Sequence, residues 1–499
     1  MGEFSSAGAD GKRQDPRGTA VTALRTLVHD SFSRTRTATI VVALLLTGLV
    51  PVVLELLGSH AEVLVIAGGL LVLLTAFLVL RGSRPVDAEH ASEPAGSSRG
   101  GVELLLYLSP VIFLNIVFPL VSPRMAEATV GGVQLTHVVL ASSITVPWLA
   151  QAACMPAYRA IGELMAERNM QKITRRFCEV WPAMFLRTLP LAGLFALPLW
   201  LATGWSWQAM GAYLLLLGAH VLFVQSLVLA NVGERRGLWA VAWGAYALAL
   251  AVVPTVWILP PLVAAATQIA AMGRQLSHVR VFERLDHRNF AADALRGLLL
   301  GSVLWADKFV LFLTTDGTFQ VIVVFMAMLP AVLAYNFYFV NMAPHVDRAV
   351  SGLHRAIEKE TLPVLASRST LLSYVVDRSV LRTGAVGMVL TLAAALLLGG
   401  LQPNHVLLAV TVAVASWTFM MLTLLSYELD YIGEKITAQA LGAVHLVVSV
   451  LAFAVFSTNG AYALLLLADL VLVAGAWALY KRHWAQPEYT LFWRHATSW

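Results

Sequence analysis

The sequence is short of charged residues, and this shortage indicates the class of protein. Asp, Glu, Lys and Arg make up 13% of the 499 residues, whereas apolar residues make up 58%. In a soluble globular domain, about a quarter of the residues are charged. The composition therefore argues against an ordinary soluble domain and indicates that most of the chain lies in lipid.

Cysteine and common catalytic motifs are also scarce. The two cysteines are Cys154, in an apolar run, and Cys178, in a basic loop, so we expect neither a disulfide nor a metal site. A Walker A loop, an HExxH helix and a Rossmann fingerprint are missing. We predict that the chain needs no cofactor or metal. We also predict that it is not an enzyme, because its longest polar segment between expected spans has only about 37 residues.

The formal net charge of +5 does not indicate a nucleic-acid partner. The basic residues lie between apolar runs and form no continuous basic face, which is the arrangement that membrane topology requires. We therefore predict no contact with nucleic acid.

The apolar runs predict an all-α, polytopic membrane protein. A helix that crosses the hydrocarbon core needs about 20 mostly apolar residues, and the sequence holds runs for about fourteen such helices. The run 237–273 is too long for one span, and its prolines divide it near 254–256. The other runs are 38–57, 62–80, 104–122, 135–157, 182–202, 208–230, 292–313, 319–343, 381–400, 405–427, 436–456 and 461–480.

Lysine and arginine between the predicted spans lie almost entirely on one side of the membrane. With the N-terminus in the cytoplasm, the inside segments hold the basic clusters and the outside loops hold only Arg124. If one helix were miscounted, the basic residues of every later loop would fall on the outside instead of the inside. The sequence thus predicts a multi-pass protein of the cytoplasmic membrane with both termini in the cytoplasm.

The spacing of the runs divides the chain into a hairpin and two sets of six helices. In each set, two helices precede a polar inside segment and four closely spaced helices follow it, which predicts two parallel six-helix repeats. The alternative is chance spacing, since the halves share no visible sequence similarity. The predicted units are a cytoplasmic tail (1–37), a hairpin (38–80), a linker (81–103), a first lobe (104–273), an inter-lobe linker (274–291), a second lobe (292–480) and a cytoplasmic tail (481–499).

Two polar inside segments, 158–180 and 344–380, carry apolar residues at helical spacing. This pattern predicts amphipathic helices at the inner membrane face. They would serve either as simple connectors or as docking surfaces for a cytoplasmic partner.

Asp307 and Lys308 lie inside a predicted span, where ionisable residues are costly and point to function. Gly297, Gly301 and Lys308 fall near one line of the helix, and a GxxxG pair allows close helix approach. We therefore expect Lys308 to face the bundle and Asp307 to point about 100° away. The alternative is that Lys308 extends outward to the nearby membrane interface.

His445 and Asp469 lie in the last two predicted spans. Folding these spans about the short turn 457–460 places the two side chains within about one helical turn in depth. They would form either a structural pair or a proton-coupling site.

Several short motifs resemble the Pel exopolysaccharide transporter family. The segment LWADKFVLFL (304–313) carries an Ala-Asp-Lys signature similar to the one that opens the second lobe of that family. The helix that contains Pro330, the charged segment after it and the aromatic stretch 489–494 also resemble the family. The family is a branch of the multidrug, oligosaccharidyl-lipid and polysaccharide exporter superfamily, whose members have two six-helix lobes. The hairpin 38–80 is then an addition to the family fold.

The resemblance implies a membrane exporter of an exopolysaccharide or of its lipid-linked precursor. It also implies two kinds of partner, a separate cytoplasmic glycosyltransferase and other membrane subunits of a polysaccharide synthase. Tyrosines at the inner end of a span would stack on sugars or belong to the interfacial belt. The candidate cavity residues are Asn115, Asp307, Lys308, Tyr335 and Asn336.

Two other functions remain open at this point. One is an ion-coupled antiporter of small cationic compounds on the same fold, which requires buried carboxylates such as Asp307 and Asp469. The other is a non-transporting scaffold whose inside segments recruit enzymes.

Overall fold

The protein is an all-α, multi-pass membrane protein. In the computed structural model, the described residues are 103–493, apart from 166, 168 and 402. The structure is 88% helical, and nine of the described helices are long and apolar enough to cross a membrane. The tail 1–37, the spans 38–57 and 62–80 and nearly all of the linker after them lie outside the described residues.

The helices fall into two series on either side of residue 280. The first series is α1 (Ser109–Ala126), α2 (Leu135–Met165), α3 (Met170–Thr203), α4 (Trp207–Ser226), α5 (Val228–Val232), α6 (Arg236–Val252) and α7 (Leu259–Met272). The second series is α8 (His287–Thr314), α9 (Val321–Phe337), α10 (Ala343–Lys359), α11 (Leu362–Leu401), α12 (Val406–Tyr431), α13 (Lys435–Val455) and α14 (Thr458–Trp484). Short 3-10 or π-helical turns occupy Gly273–His278, Tyr338–Met342, Pro403–His405 and Tyr489–Trp493.

A small antiparallel hairpin joins α1 to α2. Its strands are β1 (Thr129–Val130) and β2 (Val133–Gln134). Gly131 and Gly132 form the turn with φ of +57° and +83°, values that favour glycine and match the right-handed twist of a hairpin. Ser206 donates a hydrogen bond to the carbonyl of Gly131 at 2.7 Å, so the hairpin is fixed to the start of α4.

Two predicted spans form short helices. The two halves of 237–273 give α6 with 17 residues and α7 with 14, whereas residues 103–107 are already helical and lead into the 18 residues of α1. The break between α6 and α7 falls where the prolines predict it. At about 1.5 Å per residue, α6 and α7 are shorter than the hydrocarbon core of about 30 Å. The count of fourteen spans therefore stays a prediction.

The polar inside segments belong to long helices that continue out of the membrane. The segment 158–180 is mostly helical, since residues 158–165 continue α2 and residues 170–180 form the start of α3. The second segment holds α10 and the first half of α11, and α10 packs along α11. With 40 residues, α11 is about 60 Å long, twice the thickness of the hydrocarbon core.

The two series pack the same pairs of helices. In the first series, the packed pairs are α2–α3, α2–α4, α3–α4, α1–α6, α6–α7 and α4–α7. The second series contains the six corresponding pairs α9–α11, α9–α12, α11–α12, α8–α13, α13–α14 and α12–α14, and it also packs α8–α12, α12–α13 and α10–α11. Each pair of the first series thus has its counterpart, in the same chain order, in the second.

Helices α2 and α8 form the largest contact between the two series. Gly297 and Gly301 lie on the face of α8 that touches α2, and a Cβ at Gly297 would stand 2.5 Å from the carbonyl oxygen of Gln151. Trp148 donates its indole N–H to the carbonyl of Leu298 at 2.7 Å. The missing side chains of the glycines allow this close approach.

Candidate functional site

Helices α8, α12, α13 and α14 bury a cluster of ionisable side chains. Asp307, Lys308, His445 and Asp469 each have 0% of their surface exposed. The ring of Phe419 on α12 lies among them, since it is 5.3 Å from the ammonium of Lys308 and 5.1 Å from the His445 ring. Charges buried in lipid-embedded protein are costly and mark candidate sites.

Asp307 and Lys308 form an ion pair. The ammonium Nζ lies 2.9 Å from Oδ1 of Asp307 and donates a hydrogen bond to the carbonyl of Leu304 at 3.1 Å. Tyr462 of α14 donates its hydroxyl to Oδ2 of Asp307 at 3.0 Å. Oδ2 of Asp307 thus accepts a hydrogen bond, whereas Oδ1 accepts none among the described residues and is paired only by charge with the Lys308 ammonium.

Two expectations about this pair are wrong. Asp307 was expected to point away from Lys308, but the long lysine side chain bends back to its neighbour on the helix. The alternative position of Lys308 at the membrane interface is also wrong, because the side chain is fully buried. The two glycines and the Lys308 ammonium contact different helices. Gly297 and Gly301 face α2, while Lys308 reaches Phe419 of α12.

His445 and Asp469 are in contact, as the short turn between α13 and α14 predicts. Nδ1 of His445 lies 2.9 Å from Oδ1 of Asp469. On the other side of the ring, Nε2 lies 3.2 Å from the hydroxyl of Ser449. Oδ2 of Asp469 is buried and has no hydrogen-bond partner among the described residues. Unlike Asp307, Asp469 forms no ion pair with a lysine or arginine among the described residues.

The remaining predicted cavity residues are not brought to the same place. Tyr335 and Asn336 are half-buried near the end of α9, and Tyr335 packs against Phe339 with ring centroids 4.8 Å apart. Lys308 lies near the end of α8, and the rise of the helices puts Tyr335 about 12 Å away in depth. Asn115 lies in α1, but its side chain is outside the described part of the chain.

Three buried carboxylates escaped the sequence analysis, and the first of them, Asp293, is 7% exposed and pairs with Arg159 of α2 at 3.1 Å. Glu428 is 0% exposed and accepts a hydrogen bond from the hydroxyl of Tyr338. Asp430 is 7% exposed and pairs with Arg296 of α8. The predicted span stopped at residue 427, because acidic residues end an apolar run. The useful signal was the helical spacing of small and apolar residues, which continues to Tyr431 at the end of α12.

The first series buries polar groups of a different kind. Nε2 of His220 lies 2.9 Å from the hydroxyl of Tyr246, and Nδ1 lies 2.8 Å from the carbonyl of Leu216. Gln225 accepts a hydrogen bond from the indole of Trp181 at 3.2 Å. Among the described residues from 103 to 273, no carboxylate or ammonium is buried.

The described residues contain no group of three His, Cys, Asp or Glu side chains that could hold a metal ion. The two cysteines are free thiols.

No protein-family model, no curated protein and no solved structure matches this chain.

Proposed function

We propose that the protein is a transporter of the cytoplasmic membrane, built from two six-helix lobes. The observation that carries this proposal is the repeated packing pattern, in which six helix pairs of the first series recur in order in the second. Repeated helical units that move against each other are the usual architecture of secondary transporters. The lobes would be residues 104–273 and 292–480.

We propose an exopolysaccharide of the Pel type, or its lipid-linked precursor, as the cargo. The support is the Ala-Asp-Lys element, whose acid and base lie together inside the second lobe. Tyr335, Asn336 and Asn115 stay candidates to contact sugars. A separate cytoplasmic glycosyltransferase and other membrane subunits of a polysaccharide synthase would supply the cargo, and the projecting ends of α10 and α11 give them a surface to meet.

An ion-coupled antiporter of small cations is the second candidate. The observation that favours it is the burial of Asp307 and Asp469 in one lobe. Such carboxylates could exchange an ion for the cargo. The two candidates share one fold and differ in what is carried.

Deleting the gene and restoring it with the chain separates these functions. Secreted polysaccharide is measured per unit of chain found in the membrane, alongside the accumulation of fluorescent cationic dyes. An exporter restores polysaccharide and leaves dye accumulation unchanged. Restored dye efflux without polysaccharide would reject the exporter in favour of the antiporter, and neither effect would favour the scaffold.

The orientation has its own test in intact cells. New cysteines at Thr203, Asp316 and Gln402 should react with a reagent that does not cross the membrane, because these positions lie in predicted outside loops. Cysteines at Ser92 and Gln486 should not react. Reaction at His287 from outside would contradict the arrangement of the two lobes, because α8 then starts on the wrong side.

A further inference from the structure

A polar stripe on α12 leads from the inner end of the second lobe to its buried charges. Ser416, Phe419, Thr423, Ser426 and Asp430 are spaced by three or four residues, so they share one face of the helix. All of them are buried. The stripe is therefore a continuous line through the packed lobe.

Contacts fix both ends of this stripe. At one end, Asp430 pairs with Arg296, whose side chain is 19% exposed, so this end reaches the surface that the basic residues assign to the cytoplasm. In the middle of the membrane, Phe419 touches Lys308 and His445. The stripe joins the cytoplasmic end to the charge cluster.

Two hydroxyls of the stripe have no hydrogen-bond partner among the described residues. The Oγ atoms of Ser416 and Ser426 are both buried. A serine in a helix normally donates to a carbonyl one turn back, as Thr423 does to Phe419 at 2.8 Å. Buried hydroxyls that lack protein partners are usual sites of internal water. The stripe is therefore suited to hold water that conducts protons.

We propose that Asp469 and His445 form a proton-exchange site that is reached from the cytoplasmic end along this stripe. The proton binds Oδ2 of Asp469, the oxygen without a partner, and the carboxylate becomes a neutral carboxyl. On release, the carboxylate again accepts the hydrogen bond from Nδ1 of His445, while Nε2 accepts from the hydroxyl of Ser449. The inference rests on the proposed transport function, since such a site couples transport to the proton gradient.

The other ionisable groups around this site leave it free to exchange. Helix α8 contributes Asp307 and Lys308, which offset each other, and α14 contributes Tyr462, which donates to Asp307. Helix α12 contributes the ring of Phe419 at this level, with its acids near the cytoplasmic end. Asp469 is thus the carboxylate of the cluster that is not paired with a lysine.

Infrared difference spectroscopy of the purified full-length chain between alkaline and acidic pH tests the site, with the proton itself as the probe. A carboxyl in apolar surroundings absorbs at higher frequency than surface carboxyls, so the wild type should gain such a band. Asp469→Asn should lose the part of the band that comes from Asp469 and keep the part that comes from the buried Glu428. The matched control is His220→Gln, which changes a buried histidine of the first lobe and should keep the whole band. An unchanged band in Asp469→Asn would overturn the proposal.

If Asp469→Asn fails to fold, a second variant, His445→Asn, tests the same site. It removes the imidazole beside Asp469, so the band should shift in frequency. An unshifted band in a folded His445→Asn protein would reject the site. The measurement needs no cargo, so a failure of the proposed polysaccharide function would leave the band intact. Normal export by a protein that lacks the band would reject the proton site and leave the proposed function standing.

The route is tested by the rate at which the band develops after a rapid pH change. Ser426→Val removes one hydroxyl of the stripe and should slow the change about tenfold, the effect of one lost hydrogen bond. Thr411→Val, at a half-buried position of α12 outside the stripe, is the matched control and should leave the rate unchanged. An unaltered rate in Ser426→Val would overturn the route.

Discussion

His220 of α4 bonds to the neutral hydroxyl of Tyr246, whereas His445 of α13 bonds to the carboxylate of Asp469. Both histidines lie inside six-helix units that pack the same pairs of helices. The first unit shows that this packing needs no buried charge. The fold therefore does not require the ion pairs of the second unit. Because burying their charges is costly, their presence points to a function.

The largest expected effect comes from breaking the Asp307–Lys308 pair. Lys308→Met keeps most of the side-chain volume but leaves Asp307 buried without its counter-charge. We expect a loss of about 3–5 kcal/mol in the free energy of unfolding, measured in detergent. Lys172→Met, which breaks an exposed pair with Glu167, should cost less than about 1 kcal/mol.

A double variant separates stability from export. Asp307→Asn combined with Lys308→Met removes both charges and should recover most of the lost stability. If the ammonium serves export, this variant reaches the membrane and secretes no polysaccharide. Near-normal secretion per unit of membrane protein would contradict a role of the ammonium in export.

A smaller effect is expected at the contact between the two units. Gly297→Ala places a Cβ against the backbone of Gln151, so α2 and α8 must separate. We expect destabilisation of about 1–3 kcal/mol, seen as a lower melting temperature in detergent. Gly211→Ala in α4 is the matched control, because a Cβ there meets nothing within 4 Å. Equal melting temperatures for the two variants would show that the close approach of α2 and α8 is unimportant for stability.

The smallest effect is expected in the first unit. Tyr246→Phe removes one hydrogen bond to His220 and should cost about 1 kcal/mol in thermal or chemical unfolding. Export should be unchanged, because no charge is left unpaired. A loss of export with unchanged stability would mean that the first unit also has a polar site, which would weaken the contrast between the two histidines.

Hydropathy and proline placement predicted much of the helical architecture, because in lipid each span must satisfy its own backbone hydrogen bonds. The break between α6 and α7 and the contact of His445 with Asp469 both follow from local signals. The first is set by Pro254 in the turn, and the second by the short connection from Val455 to Thr458.

The errors lie where helices leave the membrane and where side chains are long. The predictions ended the spans at polar residues, but α3 and α11 continue as helices with charged faces beyond the apolar core. Glu428 was missed for this reason. The contact of Lys308 with Asp307 was missed because the helical angle gives only the direction in which a side chain leaves the helix. The position of the lysine ammonium also depends on the four rotatable bonds of the side chain.

The length of α11 has a mechanical consequence. It is one unbroken helix from Leu362 to Leu401, so it behaves as a lever whose pivot lies in the membrane. About half of it lies beyond the hydrocarbon core, so a tilt of about 10° inside the lobe would swing its Leu362 end, together with the α10 packed on it, by about 5 Å. A rocking motion too small to open a wide passage in the membrane would thus be amplified at the end of α11, where a partner enzyme could sense it.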